Sequence, residues 1–314
     1  LNTAEAVLDV QEAPAIAVQP ADLRLYLEQD ETLAVEVSGG FAPLTYQWTK
    51  NGTDIPGAAG TVREDGRATY TTGAVTAASA GEYACRIVDD RASSVVSEAA
   101  LLEVAAPPTF ASQPEGARIY IGQSHTFELD AAGGFPPLTY RWYKDEIPIP
   151  GATAATYTTG SAELTTAGAY VCVVHDALGT RLESAPASLD VAAPLTITAH
   201  PTGAALYPGE EHLLNVTVSG GFPPLAYEWT QDWIPVPGAS GASYALGPAT
   251  LEMAGAYRCE VTDDLGASRL SQAADVQVDD VTVIGEQPQG AQIYTGDSHT
   301  FSISAVFGVA PLTY

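Results

Sequence analysis

Hydrophobic and polar positions alternate along this chain in short runs rather than at helical spacing. In Tyr257-Arg258-Cys259-Glu260-Val261-Thr262 the tyrosine, cysteine and valine share one face while Arg258, Glu260 and Thr262 share the other. Tyr83, Cys85 and Ile87 are set against Arg86 in the same way, and Leu138, Tyr140 and Trp142 line one face of another run. A period of two over four to eight residues is the mark of a half-buried strand. Glycine and proline clusters interrupt these runs every eight to twelve residues, and no stretch keeps a helical period. The pattern predicts an all-β sandwich.

The pattern also repeats. Gly133-Gly134-Phe135-Pro136-Pro137-Leu138-Thr139-Tyr140-Arg141-Trp142 returns as Gly220-Gly221-Phe222-Pro223-Pro224-Leu225-Ala226-Tyr227-Glu228-Trp229. It is foreshadowed by Gly39-Gly40-Phe41 leading to Trp48, and a fourth copy begins near Gly308. Cys85, Cys172 and Cys259 step by 87, whereas Trp48, Trp142 and Trp229 step by 94 and then 87. The first repeat thus carries seven extra residues between tryptophan and cysteine. Neighbouring landmarks place them between Ala58 and Tyr70, as a charged loop around Arg63–Arg67. Tyr26, Tyr120, Tyr207 and Tyr294 mark the start of each repeat. The expected organisation is a last strand of a preceding repeat at 1–10, repeats at 11–104, 105–191 and 192–278, and an incomplete repeat at 279–314. That organisation reads as a window onto a longer array. The joints, Ala105-Ala106-Pro107-Pro108 and Ala192-Ala193-Pro194, contain proline and no glycine, so they should be stiff and stack the sandwiches into an elongated rod.

The tryptophan strand followed by Ala-Gly-x-Tyr-x-Cys (Ala80–Cys85, Ala167–Cys172, Ala254–Cys259) resembles the tandem immunoglobulin-like repeats, of the I-set type, found in large bacterial surface and secreted proteins. The resemblance implies that Trp48, Trp142 and Trp229 are the core tryptophans of strand C. It also implies that Tyr83, Tyr170 and Tyr257 are tyrosine-corner residues of strand F. Two departures stand out. The strand B position that would hold a partner cysteine is Val35, Leu129 and Val216, so no disulfide can close within a domain. The acidic residue usual four positions before the corner tyrosine is replaced by Ser79, Thr166 and Met253. Cys85, Cys172 and Cys259 then read as small buried hydrophobes beside tryptophan.

Charge narrows the partners. The chain has 38 acidic and 12 basic residues, a net charge of −26, so nucleic acid and anionic lipid are not expected partners. No apolar run is long enough to span a membrane. The histidines do not gather: His125, His212 and His299 recur at one repeat position, once per domain. No HExxH, GxSxG or P-loop phrase is present, so no enzyme is expected. The carboxylates Asp89, Asp90, Asp176, Asp263 and Asp264 follow strand F, and Asp279 and Asp280 lie at the third joint. They could ligate calcium between domains, although aspartates in hairpin turns are ordinary turn chemistry. Trp233, in the turn after strand C, is a candidate partner contact, set against folding back onto Pro235 and Pro237. The reading is an extracellular or cell-surface structural protein, bacterial, with neighbouring repeats, and identical chains in a fibre, as its partners. The alternative is an adhesin or a carbohydrate- or protein-recognition module.

Overall fold

The computed structural model describes residues 8–306. The described residues form strands and short 3-10 turns, without an α-helix. Most of the strand expected at 1–10, residues 1–7, and the fourth glycine-proline motif at 308–314 lie outside them, and Leu8–Val10 is exposed and belongs to no strand.

The first repeat contains β1 (Ala15–Val18), β2 (Leu23–Tyr26), β3 (Thr32–Ser38), β4 (Thr45–Lys50), β5 (Thr53–Thr61), β6 (Arg67–Thr71), β7 (Gly81–Val88), β8 (Ser94–Val96) and β9 (Ala100–Ala105). One sheet runs β1-β3-β6; the other runs β2-β9-β7-β4-β5, with β8 also paired to β7. All pairs are antiparallel except β2 with β9, where Leu23 stands beside Leu102 and Tyr26 beside Ala105. The edge strand therefore switches sheets between β1 and β2, and its second half finishes beside the last strand of its own repeat. The third repeat keeps this plan from Thr196–Ala199 to Ala274–Val278. In the incomplete repeat, Val283–Glu286 pairs with Ser304–Val306, as β1 pairs with β3.

The predicted faces are the observed ones. Tyr83, Cys85 and Ile87 are buried, as are Tyr257, Cys259 and Val261. Each tryptophan sits directly across from the cysteine of its repeat: Trp48 from Cys85, Trp142 from Cys172, Trp229 from Cys259. Val35, Leu129 and Val216 complete these interiors where a second cysteine would otherwise stand. All three thiols are free and buried, and burial pushes them up, to about 12 for Cys85 and about 11 for Cys172 and Cys259. The corner tyrosines dispense with an acidic neighbour: Tyr83 donates to the Ser79 carbonyl at 2.8 Å and Tyr257 to the Met253 carbonyl at 2.9 Å.

A repeated residue was missed by sequence reasoning. Ser97, Ser184 and Ser271 are buried, and each Oγ accepts the backbone N–H of its repeat's cysteine at 2.9–3.0 Å while donating to the following carbonyl. Its 87-residue spacing was the available signal.

The insertion of the first repeat differs from the expected loop. Much of this region is strand: β5 runs nine residues and pairs along β4 on both sides of a bulge, leaving only a short turn before Arg67. In the other repeats the matching strand is two residues, Ile147–Pro148 or Ile234–Pro235. The extension has a cost inside. Trp142 Nε1 donates to the Ala154 carbonyl at 2.9 Å and Trp229 Nε1 to the Gly241 carbonyl at 2.8 Å, each twelve residues on. The equivalent of those acceptors is Gly60, which is committed to pairing with Tyr46. Trp48 Nε1 is buried with no partner among the described residues.

Trp142→Phe and Trp229→Phe should therefore each cost about 1 kcal/mol more than Trp48→Phe, because only they remove a made hydrogen bond and orphan a carbonyl. Denaturant midpoints of each repeat, read by hydrogen exchange, test this; equal costs would refute it. Native thiols should resist a disulfide reagent at pH 8 and react together once the chain unfolds. Rapid labelling of any of the three in the native protein would contradict the packing described.

Candidate functional site: the joint between repeats

The described chain divides into two compact units, and the division does not fall between repeats. One unit runs to Glu115 and adds Phe127–Tyr157 and Tyr170–Ala187; the other holds Gly116–Thr126, Thr158–Ala169 and the chain from Ser188. Each unit thus contains one complete joint between consecutive repeats.

The first joint follows from a short connection. β9 ends at Ala105 and the next strand starts at Thr109. The connecting residues pass directly over the paired glycines of the second repeat: Gly134 N–H donates to the Ala106 carbonyl at 2.8 Å. A Cβ on Gly133 would stand 2.4 Å from the Pro107 carbonyl oxygen, and both glycines have φ near +70°. No other residue accepts that backbone and that contact together. The paired glycines therefore let the connection lie flat, which brings the end of β2 against the Phe135 loop and the turn after Gly168–His175.

There Tyr26 meets Phe135, ring centroids 5.5 Å apart, and its hydroxyl donates to Asp176 Oδ2. Thr180 Oγ1 lies 2.7 Å from the same hydroxyl. Asp176 is 6% exposed. Its Oδ1 accepts the backbone N–H groups of Leu178 and Thr180, both at 3.0 Å, and Oδ2 accepts that of Phe135 at 2.9 Å. Burial on its own would raise this carboxyl. The hydrogen bonds from Tyr26 and the three amides outweigh it and hold Asp176 below the usual carboxylate range. Tyr26 is pushed up, first by burial and then by its bond to Asp176.

The second joint, in the other unit, is built alike. Tyr120 packs on Phe222 at 5.5 Å and donates to Asp263 Oδ2, which also accepts Phe222 N–H at 3.0 Å. Leu265 and Ala267 donate to Oδ1 at 3.1 and 2.9 Å. Asp263 is likewise lowered by bonds that outweigh its burial, and Tyr120 is raised to about 12 by burial and by Asp263. Arginine adds a cation: Arg118 lies over the Phe222 ring at 4.6 Å and pairs with Asp264, while Arg24 stands 5.8 Å from Phe135.

The structure places the carboxylates weighed for calcium as follows. Asp263 and Asp176 bind amides and a phenol, Asp264 binds Arg118, and Asp89 binds two amides of its own turn and that of Phe41. Asp279 donates its N–H to the Leu206 carbonyl, and Asp280 is exposed. Among the described residues no group of three or more His, Cys, Asp or Glu side chains could hold a metal ion. Trp233 is 65% exposed at φ +70°, with Arg258 over its ring at 4.3 Å. His212 and His299 each bond a carbonyl ten residues earlier, at 2.9 and 3.2 Å. Within the described residues no helix is long and apolar enough to cross a membrane.

Comparison with known proteins agrees with this architecture. No family model matches the chain. A stretch of 88 residues, about one repeat, is 40% identical to the decoration protein of Escherichia phage T5, covering 28% of this chain and 54% of that protein. Mouse hemicentin-2 is 27% identical over 276 residues, 82% of this chain but 5% of its own length. The chain therefore spans about half of the first of these relatives and a small part of the second. Among solved structures, the I67-I69 fragment of titin's I-band superposes with a TM-score of 0.65 at 22% identity, covering 85% of this chain and 99% of the fragment. The fold is that of tandem immunoglobulin-like domains.

The joints carry a pH dependence whose sign follows from the shifts. A lowered Asp stabilises the native state above its unfolded value of about 3.9, and that contribution is lost as pH falls through the native value. A raised Tyr stabilises below about 10, and its contribution is lost as pH rises through the native value, about 12 for Tyr120. Melting temperature should hence plateau between these limits and fall on the acid side, and Asp176→Asn with Asp263→Asn should flatten that acid limb. An unchanged acid limb in the double variant, followed by calorimetry, would remove these carboxylates from the account.

Proposed function

We propose that this chain is a structural spacer: a tandem immunoglobulin-like array displayed as a stalk or fibre on the outer surface of a phage particle. The observation that carries the reading is the repeated joint. Two successive junctions are built from the same glycine pair, the same phenol-to-carboxylate bond and the same aromatic contact, which is what a protein needs whose task is to hold repeats in a fixed relation. Energy is invested between domains, where an enzyme would invest it in a cleft. The likeness to a phage decoration protein favours a particle surface over a bacterial envelope. The net charge of −26 opposes lateral association of copies, so the array is read as single chains and not as bundles.

One observation favours recognition as a second reading. Trp233 and Ile234 are both exposed, 65% and 69%, at the same turn of the third repeat. An exposed aromatic beside an aliphatic side chain suits contact with a sugar ring or another protein.

Immunogold labelling of particles or cells from the source should mark their outer surface, and scattering from variants lacking one whole repeat should show the maximum dimension shortening by a constant step. Label confined to the interior, or a dimension insensitive to repeat number, would end the spacer reading. Trp233→Ala should leave both results unchanged while abolishing any glycan binding.

A further inference from the structure

The first repeat carries the receiving half of a joint. Its turn after β7 presents Asp89, buried like Asp176 and Asp263, with Oδ1 accepting Arg91 and Ser93 N–H at 3.0 and 2.8 Å and Oδ2 accepting Phe41 N–H at 3.2 Å. These are the same three amide positions that surround Asp176 and Asp263. Those two carboxylates also take a tyrosine hydroxyl on Oδ2; Asp89 has no such donor among the described residues. Phe41 departs in the same sense. Phe135 and Phe222 are 5% and 6% exposed under their tyrosines, whereas Phe41 is only half-buried and is covered by Arg91 of its own turn at 3.9 Å. Its connection is also in place, since Gly40 N–H donates to the Glu12 carbonyl at 2.8 Å and Gly39 faces the Ala13 carbonyl as Gly133 faces that of Pro107.

Asp90 sharpens the prescription. It occupies the place of Asp264, donating its N–H to the Phe41 carbonyl at 3.0 Å as Asp264 does to Phe222 at 2.9 Å. Asp264 is the residue that pairs with Arg118, two positions before Tyr120. In the joint of Tyr26 and Asp176 this position is Ala177, and Arg24 pairs instead with Glu103.

We infer that the face formed by Phe41, Asp89 and Asp90 binds an immunoglobulin-like repeat lying ahead of it in line, whose second strand ends in Arg-x-Tyr, the tyrosine on Asp89 and the arginine on Asp90. The partner chemistry is specified more tightly than a tyrosine alone: of the four repeats in this sequence, Arg24-x-Tyr26 and Arg118-x-Tyr120 satisfy it, whereas Ala205-x-Tyr207 and Gln292-x-Tyr294 lack the cation. This assignment rests on the joint geometry and holds whether or not the array is displayed on a phage particle.

The test adds a second copy of residues 105–191 immediately ahead of residue 11 of the full chain, so that an Arg-x-Tyr strand end precedes the first repeat. Thermal midpoints are then measured in a double-mutant cycle of Asp89→Asn against Tyr→Phe at the added copy's equivalent of Tyr120. The cost of Asp89→Asn should at least double in the lengthened chain, and most of that increase should vanish in the Tyr→Phe background. An Arg→Ala change at the added copy's equivalent of Arg118 should couple to Asp90→Asn in the same way. The cycle Asp176→Asn with Tyr26→Phe in the original chain is the control. Coupling in the control but none at Asp89 overturns the inference alone; no coupling in either overturns the joint itself.

Discussion

A carboxylate taken out of water must find hydrogen-bond donors or lose its charge. Each complete repeat resolves this at one aspartate, in the turn between its β7-like and β8-like strands. Three backbone amides satisfy most of the oxygen lone pairs from within the repeat. What they leave open is one direction on Oδ2, and in the two joints that direction is filled by a phenol from the repeat before. The interaction is strong because it is charge-assisted, and it is specific because the amides fix the carboxylate before the neighbour arrives. A preorganised acceptor loses little entropy on meeting its donor, which is how a small contact can set the relation between two domains.

The interior of each repeat obeys a different constraint. With no disulfide available, the sandwich rests on apolar burial, at about 25 cal/mol per Å² removed from water. Tryptophan and cysteine face each other across β4 and β7, with a branched or γ-branched aliphatic side chain closing the gap from the opposite sheet. The serine under each cysteine satisfies a backbone amide that the β8 to β9 passage would otherwise strand. The first repeat shows how closely this is balanced. Extending β5 gains cross-strand pairs with β4, and the same extension withdraws the carbonyl that the indole uses elsewhere.

Much of the fold was legible because side-chain alternation is a local property. The faces of the tyrosine-cysteine strand, the burial of the tryptophans and the repeat register all follow from period and spacing. The joint was half legible. Tyr26 and Tyr120 stood out by their spacing, and Asp89, Asp176 and Asp263 by their place after strand F, yet nothing in a linear pattern says that the tyrosine of one repeat reaches the aspartate of the next. That depends on a three-residue connection lying flat over two glycines at positive φ, a fact of backbone path. The amides that hold Asp89, Asp176 and Asp263 are main-chain groups, which no residue pattern displays. The conversion of the charged insertion into strand escaped for a related reason, since edge pairing is decided by the neighbour and not by intrinsic preference.

The arginines of the joints answer a problem that the composition creates. With 38 acidic residues against 12 basic ones, consecutive repeats carry like charge and repel at close approach. A phenol-to-carboxylate bond alone adds another anion to the contact. Arg118, over Phe222 and paired with Asp264, places a cation where the two repeats come nearest, and the aromatic ring screens it from water on one side. Arg24 does the same more loosely, its charge shared with Glu103 of its own repeat. Where the arginine is replaced, as at Ala205, the tyrosine remains but its electrostatic support does not. Joints along the array are therefore unequal by sequence, and the like-charge repulsion between consecutive repeats is relieved most where an arginine stands two positions before the tyrosine.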